Sequence, residues 1–437
     1  MSGPMDGTLM AVLLLVALFA LLGMGIWVSV SLMGVGMLAM ALFSHSPVGR
    51  VLATTVWGGS TSWTLTALPM FIWMGELLFH TRLADNLFRG LAPWVNPLPG
   101  RLMHVNVYAC AIFAAVSGSS PATCATIGRM TYPELRKRGY DERMSLGSLA
   151  GSGTLGLLIP PSIILIVYGV AAEVSIPKLF IGGVLPGTLL ALMFSGYIAT
   201  WALLNPGKTP AADREVTWLE RIAAARYVLP VVFLMFAVLG SIYGGVATAT
   251  EAAVLGVVGA LALSFFVSRT LTWETFRASV VGAYRMSCMV GLIIAGAAFL
   301  TVAIAFTGLP RLLAVWVTGL GLSPFSLIGV LTVIYIIMGC FMDGISIVVL
   351  TASVFMPTIR ETGIDLVWFG VFLVLVSEMS CVTPPVGLNL FVIQGLSDRP
   401  IGWTGRAAMP FFLMMVVMVA ILTLFPSLAT WLPRRVM

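Results

Sequence analysis

Two stretches of the chain set hydroxyl and carboxyl side chains beside consecutive prolines inside otherwise apolar sequence: GSGTLGLLIPPS at 151–162 and LVSEMSCVTPPV at 375–386. A proline removes a backbone donor and clashes with the turn before it. Pro160, Pro161, Pro384 and Pro385 therefore free carbonyl oxygens that a continuous helix would have used. Two more polar interruptions, AVSGSSPAT at 115–123 and MGCFMDGIS at 338–346, precede them. Carbonyls and hydroxyls at such breaks are hard oxygen ligands suited to Na⁺, and half-helix N-termini present N–H groups to an anion. The chemistry expected here is binding: two cation sites with one anionic solute between them. Close helix packing by small residues is the competing explanation for any single interruption.

Four carboxylates lie at membrane depth, Glu76, Glu251, Asp343 and Glu378, and a buried ionisable residue is costly enough to demand a role. Asp343, at a polar interruption, is the expected Na⁺ ligand. Glu378 lies a turn from its break, where it faces solute or pins the broken helix. Glu76 and Glu251 are expected to hold the scaffold by bonding backbone or Arg groups.

The elements that must position these groups follow from composition. The chain has 437 residues, of which 59% are hydrophobic and 9% charged, with mean hydropathy +1.05. So few charges cannot cover that much apolar surface in water, and apolar runs of spanning length recur to the end. The fold class is an all-α integral membrane protein. The five cysteines form no CxxC pair and the three histidines no cluster, so neither a disulfide nor a resident metal is expected. A net charge of +6 suits loops that face an anionic leaflet and implies no nucleic-acid partner. Asp343 is the only aspartate at midplane depth, which excludes a two-aspartate intramembrane protease; no enzyme activity and no cofactor are expected. The N-terminus lacks the basic region of a cleavable signal, so the first helix is expected to stay.

Apolar runs predict about ten spans: 8–23, 27–43, 62–80, 144–170, 180–204, 227–243, 246–268, 285–306, 367–395 and 408–432. Residues 104–135 and 323–360 each hold two shorter apolar halves around a polar tip, the pattern of a re-entrant hairpin. With both hairpins returning to their side of origin, 17 of the 23 Lys and Arg fall on one side, which puts both termini in the periplasm. Sliding the sequence by 224 residues pairs Pro133 with Pro357, Arg136 with Arg360, Gly139 with Gly363, Asp141 with Asp365, Pro160 with Pro384 and Pro161 with Pro385. Five crossings separate the copies, so they predict an inverted repeat, which in secondary transporters binds solute at the midplane through broken helices.

GSGTLGLLIPPSIILIVYG, TPPVGLNLF, MGELL, ATATEAA and AVSGSSPAT together resemble the large membrane subunit of tripartite ATP-independent periplasmic (TRAP) transporters, over essentially the whole chain. The resemblance implies an elevator-type, Na⁺-coupled carrier of an organic acid in the bacterial inner membrane. It also implies two partners, a small four-helix membrane subunit and a soluble periplasmic binding protein. The first span begins near residue 8, so the small subunit is expected as a separate chain. Mobile elements would be 104–170 and 323–395, with scaffold at 1–103, 171–226, 227–322 and 396–437. Carried onto this sequence, the first Na⁺ site would comprise Ser117, Gly118, Ser119, Ser120, Gly151 and Ser152, and the second Gly339, Asp343, Gly344, Thr383 and Pro384. Solute would meet Ser119, Thr123, Gly153, Thr154, Ser346, Glu378 and Asn389. The alternative is a stand-alone anion carrier of the same superfamily.

Overall fold

The computed structural model describes residues 4–80, 83–210, 216–309, 312, 324–339, 342–384 and 387–436; Pro385, one of the four expected helix breakers, lies outside them. Among the described residues every regular element is helical. The first half runs α1 (Pro4–Gly23), α2 (Val28–Phe43), α3 (Val48–Ser60), α4 (Ala67–Phe79), α5 (Leu83–Val95), α6 (Met103–Ser117), α7 (Ser120–Lys137), α8 (Glu142–Gly153), α9 (Leu155–Leu158), α10 (Ile163–Ala171) and α11 (Ile176–Leu204). The second runs α12 (Trp218–Tyr243), α13 (Ala249–Ala262), α14 (Trp273–Thr307), α15 (Pro324–Gly339), α16 (Gly344–Glu361), α17 (Leu366–Ser380), α18 (Leu388–Ser397), α19 (Ile401–Leu424) and α20 (Ser427–Val436).

Five of these helices are long and apolar enough to cross a membrane alone, and α8–α9 with α10, bent by 41°, make a sixth span if counted together. Shorter apolar helices of 10–17 described residues stand at other expected spans, among them Leu9–Gly23, Val28–Phe43 and Trp63–Phe79. The run 62–80 is a short 3₁₀ turn at Trp63–Thr66 followed by α4, and 408–432 is divided at Phe425 and Pro426 between α19 and α20. Two helices were not anticipated. α3 and α5 lie between spans; α5 buries Leu87 and exposes Asp85 and Arg89, the pattern of a helix lying along an interface.

Within 104–135, α6 and α7 pack on each other and reverse at the polar tip, and within 324–360, α15 and α16 pack on each other likewise; Cys340 and Phe341 of the second tip lie outside the described residues. The helices leaving the two tips, α7 and α16, are both 18 residues long and start 224 positions apart. Each is followed by a matched stop and start. Gly139 (φ +77°) and Gly363 (φ +73°) adopt the left-handed conformation that ends a helix and that only glycine takes without strain. Asp141 then caps α8 by accepting from Met144 N–H at 2.8 Å, and Asp365 caps α17 by accepting from Val367 N–H at 2.9 Å.

Glycines set which helices pack most closely. An added Cβ would stand 2.2 Å from the Ala407 carbonyl at Gly147, 2.5 Å from Phe411 at Gly151, and 2.6 Å from the Leu158 carbonyl at Gly183. These contacts seal α8 against α19 and α11 against the break after α9. Similar approaches join α2 to α14, where a Cβ at Gly296 would meet the Ser29 carbonyl at 2.7 Å, and α5 to α12 at Gly90. Among the described helical glycines, each approach closer than 3 Å falls within one of two groups, α1–α5 with α12–α14 or α6–α11 with α15–α20.

Gly147→Ala should push α8 and α19 apart and destabilise the protein by about 1–3 kcal/mol, the usual cost of overpacking against backbone. A fall in the thermal midpoint of the purified protein, absent for Gly196→Ala where nothing stands within 4 Å, checks it.

Candidate functional site

The first tip is built by chain reversal between α6 and α7. Gly118 (φ +60°) closes α6, and Ser119 starts α7 by accepting from Ala122 N–H at 3.4 Å. The Ser117 and Thr123 hydroxyls lie 2.6 Å apart across the reversal. The second tip does the same with an acid. Asp343, 224 positions after Ser119, caps α16 by accepting from Ile345 N–H at 3.1 Å and Ser346 N–H at 3.4 Å, while its other oxygen takes the Ser346 hydroxyl. An aspartate is a favoured residue at a helix start, where it answers both the free N–H groups and the helix dipole.

Each tip rests on a broken helix. In the first half α8 ends at Gly153, α9 makes one turn, and Ile159, Pro160 and Pro161 interrupt the path before Ser162 caps α10 by accepting from Leu165 N–H at 3.3 Å. The Pro160–Pro161 bond is cis. In the second half α17 ends at Ser380 and α18 begins after Gly387. The second tip sits directly on the end of α17, since an added Cβ at Gly339 would be 1.9 Å from Ser380 Cβ and one at Gly344 would be 3.6 Å from Ser377 Cβ.

The halves also meet each other. Ser120, the first residue of α7, donates its hydroxyl to Glu378 Oε2 on α17 at 2.5 Å. Asn389 on α18 donates to the Ala150 carbonyl on α8 at 3.2 Å. Between these contacts an added Cβ at Gly153 would meet Asn389 Nδ2 at 3.0 Å and the Ser120 carbonyl at 3.5 Å, so the two bonds belong to one junction. Four buried oxygens in these segments have no hydrogen-bond partner among the described residues: Ser152 Oγ, Ser377 Oγ, Glu378 Oε1 and Asn389 Oδ1. A buried polar atom without a partner costs about 1–3 kcal/mol. The four are spread over the two broken helices, Ser152 in α8, Ser377 and Glu378 in α17 and Asn389 in α18, and Glu378 and Asn389 each also make one of the two bonds that join the halves.

Burial divides the residues singled out from sequence. Ser117, Ser119, Asp343 and Thr383 are half-buried and Pro384 is exposed, whereas Ser120, Thr123, Ser152, Thr154, Ser346, Glu378 and Asn389 are buried. Gly151 faces Phe411, so its missing side chain serves packing. Of the other two membrane-depth acids, Glu251 does bond backbone, accepting from Thr248 N–H at 2.8 Å in a capping box that starts α13. Glu76 pairs with no Arg among the described residues; it lies 3.7 Å from His80 Nε2 and against Gly282 of α14. Sequence reading missed Asn106, buried in α6, which donates to the Ser148 hydroxyl at 2.9 Å and the Ser145 carbonyl at 3.0 Å. An asparagine in the apolar run HVNVYACAIF was the available signal.

A cavity of about 950 Å³ opens beside these elements, lined by Thr55, Thr64 and Thr250 on one wall and by Ala171, Glu173 and Ala352 on the other. Its walls belong to the two glycine-sealed groups, one to each.

The family profile described as "Tripartite ATP-independent periplasmic transporter, DctM component" matches residues 15–428. A C4-dicarboxylate TRAP transporter large permease protein from Pseudomonas aeruginosa is 36% identical over 399 residues, covering 91% of this chain and 92% of that protein. An ectoine/5-hydroxyectoine TRAP transporter large permease protein from Ruegeria pomeroyi is 33% identical, covering 84% of this chain and 86% of its own length. An isethionate TRAP transporter permease protein from Oleidesulfovibrio alaskensis is 32% identical over 94% of this chain, which spans 64% of it. In three dimensions the chain is similar to the YdaH transporter of Alcanivorax borkumensis, with TM-score 0.67 at 13% identity, covering 92% of this chain and 97% of that one.

The tip geometry separates cap from charge at Asp343. Asp343→Ala should lower stability by about 0.5–2 kcal/mol through loss of the cap, whereas Asp343→Asn, which still accepts from the first turn, should lose a few tenths. Thermal midpoints of the two variants, compared in buffer without Na⁺, check the ordering.

Proposed function

Given that the chain belongs to the DctM family, the large permease subunits of TRAP transporters, we propose that it carries an organic anion inward by Na⁺-coupled elevator movement. The solute is an organic acid such as a carboxylate, handed over by a soluble periplasmic binding protein. A small four-helix membrane subunit completes the complex in the bacterial inner membrane, with both termini periplasmic.

One observation carries the elevator reading: the close glycine contacts respect a division into two groups, and the 950 Å³ cavity lies between the groups. A surface that slides cannot be one where a backbone carbonyl fills the space of a side chain. We therefore assign α11 and α19 to the moving group with the hairpins and broken helices, whereas the sequence alone put 171–226 and 396–437 with the scaffold. The scaffold then consists of α1–α5 and α12–α14.

Na⁺ binding at each tip would draw the hairpin onto its broken helix and complete the solute pocket between them. Coupling requires that the two ligands favour the same state, which differential affinity provides. The residues fit such ions. Hydroxyls, carbonyls and two acids surround the breaks, and Ser117, Ser119, Asp343 and Thr383 keep part of their surface open. The partly exposed Ser119 is the solute-facing residue most accessible in this state; Thr123, Gly153, Thr154, Ser346 and Asn389 would become available as the tips separate.

Vesicles containing this chain, the small subunit and the binding protein should accumulate solute under an inward Na⁺ gradient, and vesicles with this chain alone should not. Asp343→Asn should shift the Na⁺ dose response of uptake to higher concentration; an unchanged response removes Asp343 from the coupling site. A flexible cross-link between cysteines introduced at Thr64 and Glu173, on opposite walls of the cavity, should arrest uptake. Unaltered uptake by the linked protein would mean the two groups do not move apart.

A further inference from the structure

The two tips are unequal in charge. At 224 positions' separation, Ser119 corresponds to Asp343 and Thr154 to Glu378, so both acids come from the second half and the first tip has none of its own. Glu378 does not stay with the second tip. It crosses to the first, where among the described residues its carboxyl's one hydrogen-bond partner is the Ser120 hydroxyl.

That contact is not a helix cap. Glu378 receives the hydroxyl of Ser120 and no backbone N–H of α7, whose Ala122 N–H is already taken by Ser119. Nor is it half of an ion pair, because among the described residues no Lys, Arg or His lies within ion-pair distance of it. Glu378 is 1% exposed, and its second oxygen is unpartnered. Asn389, 0% exposed, donates from Nδ2 to the Ala150 carbonyl and leaves its own oxygen without a partner among the described residues at the same junction. A single carboxylate with neutral oxygens around it balances one positive charge. A divalent ion would leave an uncompensated charge in an apolar surround, at prohibitive desolvation cost.

We propose that Glu378 supplies the negative charge of the first cation site, holding a Na⁺ together with oxygens of Ser120 and Asn389, so that a site in one half is completed by the other. The inference rests on the Na⁺-coupled reading above and moves Glu378 from the solute-facing set to the cation ligands. On arrival of the ion the Ser120 hydroxyl rotates and offers a lone pair in place of its proton. Hairpin, first broken helix and second broken helix are then tied through a single ion.

The test is Na⁺ binding, measured without transport. The permease is purified with its small subunit, and Na⁺ is titrated against choline with two readouts, thermal midpoint and radioactive-sodium binding at equilibrium. Glu378→Gln preserves the acceptor for Ser120 and removes the charge. It should weaken one class of Na⁺ site by at least about tenfold, which corresponds to about 1.4 kcal/mol, while leaving the midpoint in choline unchanged or higher. Glu378→Asp, which keeps the charge, should retain more affinity than Glu378→Gln. Wild-type affinity in Glu378→Gln, or equal loss in both variants, overturns the assignment while leaving Na⁺ coupling intact. Absence of any Na⁺-specific binding by the unaltered protein overturns the Na⁺ reading itself.

Discussion

Everything near the site follows from one constraint: inside an apolar slab a polar group must find its partner within the protein. Helices meet it along their length and fail at their ends, so every break is a local debt of unmatched oxygens and N–H groups. This chain places two hairpin tips and two helix breaks together and lets them answer one another. Ser119 and Asp343 satisfy the starts of α7 and α16, Ser162 the start of α10, and Asn389 a carbonyl of α8. What these bonds leave over, among the described residues, is a small set of oxygens with no donor on the two broken helices, and two of them, Glu378 Oε1 and Asn389 Oδ1, belong to residues that bridge the halves.

Much of this was legible in the sequence because its signals are local. Gly has fixed backbone consequences and Asp a fixed capping habit, so Gly139 and Asp141 stand as helix end and cap as Gly363 and Asp365 do 224 positions later, and the two tip helices have equal length. The polar tips could be read because hydroxyls and an aspartate in apolar runs need a reason to be there. The helix count was less legible. Hydropathy averages over a window and does not see that Phe425 and Pro426 divide one run, or that α3 and α5 fill the stretches between spans.

Partnership between distant segments was not legible at all. Nothing local to Glu378 says that its hydroxyl donor is 258 residues away, and nothing around Gly147 says that a carbonyl of α19 needs its space. The same holds for Arg399, which leaves the end of α18 to grip Glu142 at the start of α8 at 2.5 Å, where Tyr132 also donates to the carboxylate at 2.7 Å. Such contacts decide which helices belong together. Sequence position assigned α11 and α19 by their order in the chain, whereas packing groups them by what they touch.

The bond between Ser120 and Glu378 also bears on how the chain is made. A ribosome delivers the first hairpin long before α17 exists, and for that interval the Ser120 hydroxyl, buried in the finished protein, must borrow water or a lipid headgroup. The carboxyl that relieves it arrives only when the second half has been inserted, and α18 must follow before Ala150 receives its donor. Assembly therefore closes from the far end. The last sixth of the chain, from Leu366 on, is what converts the first hairpin from a provisional insertion into a seated one, and a quality-control protease that samples unfinished membrane chains would find its opening at this hairpin until then.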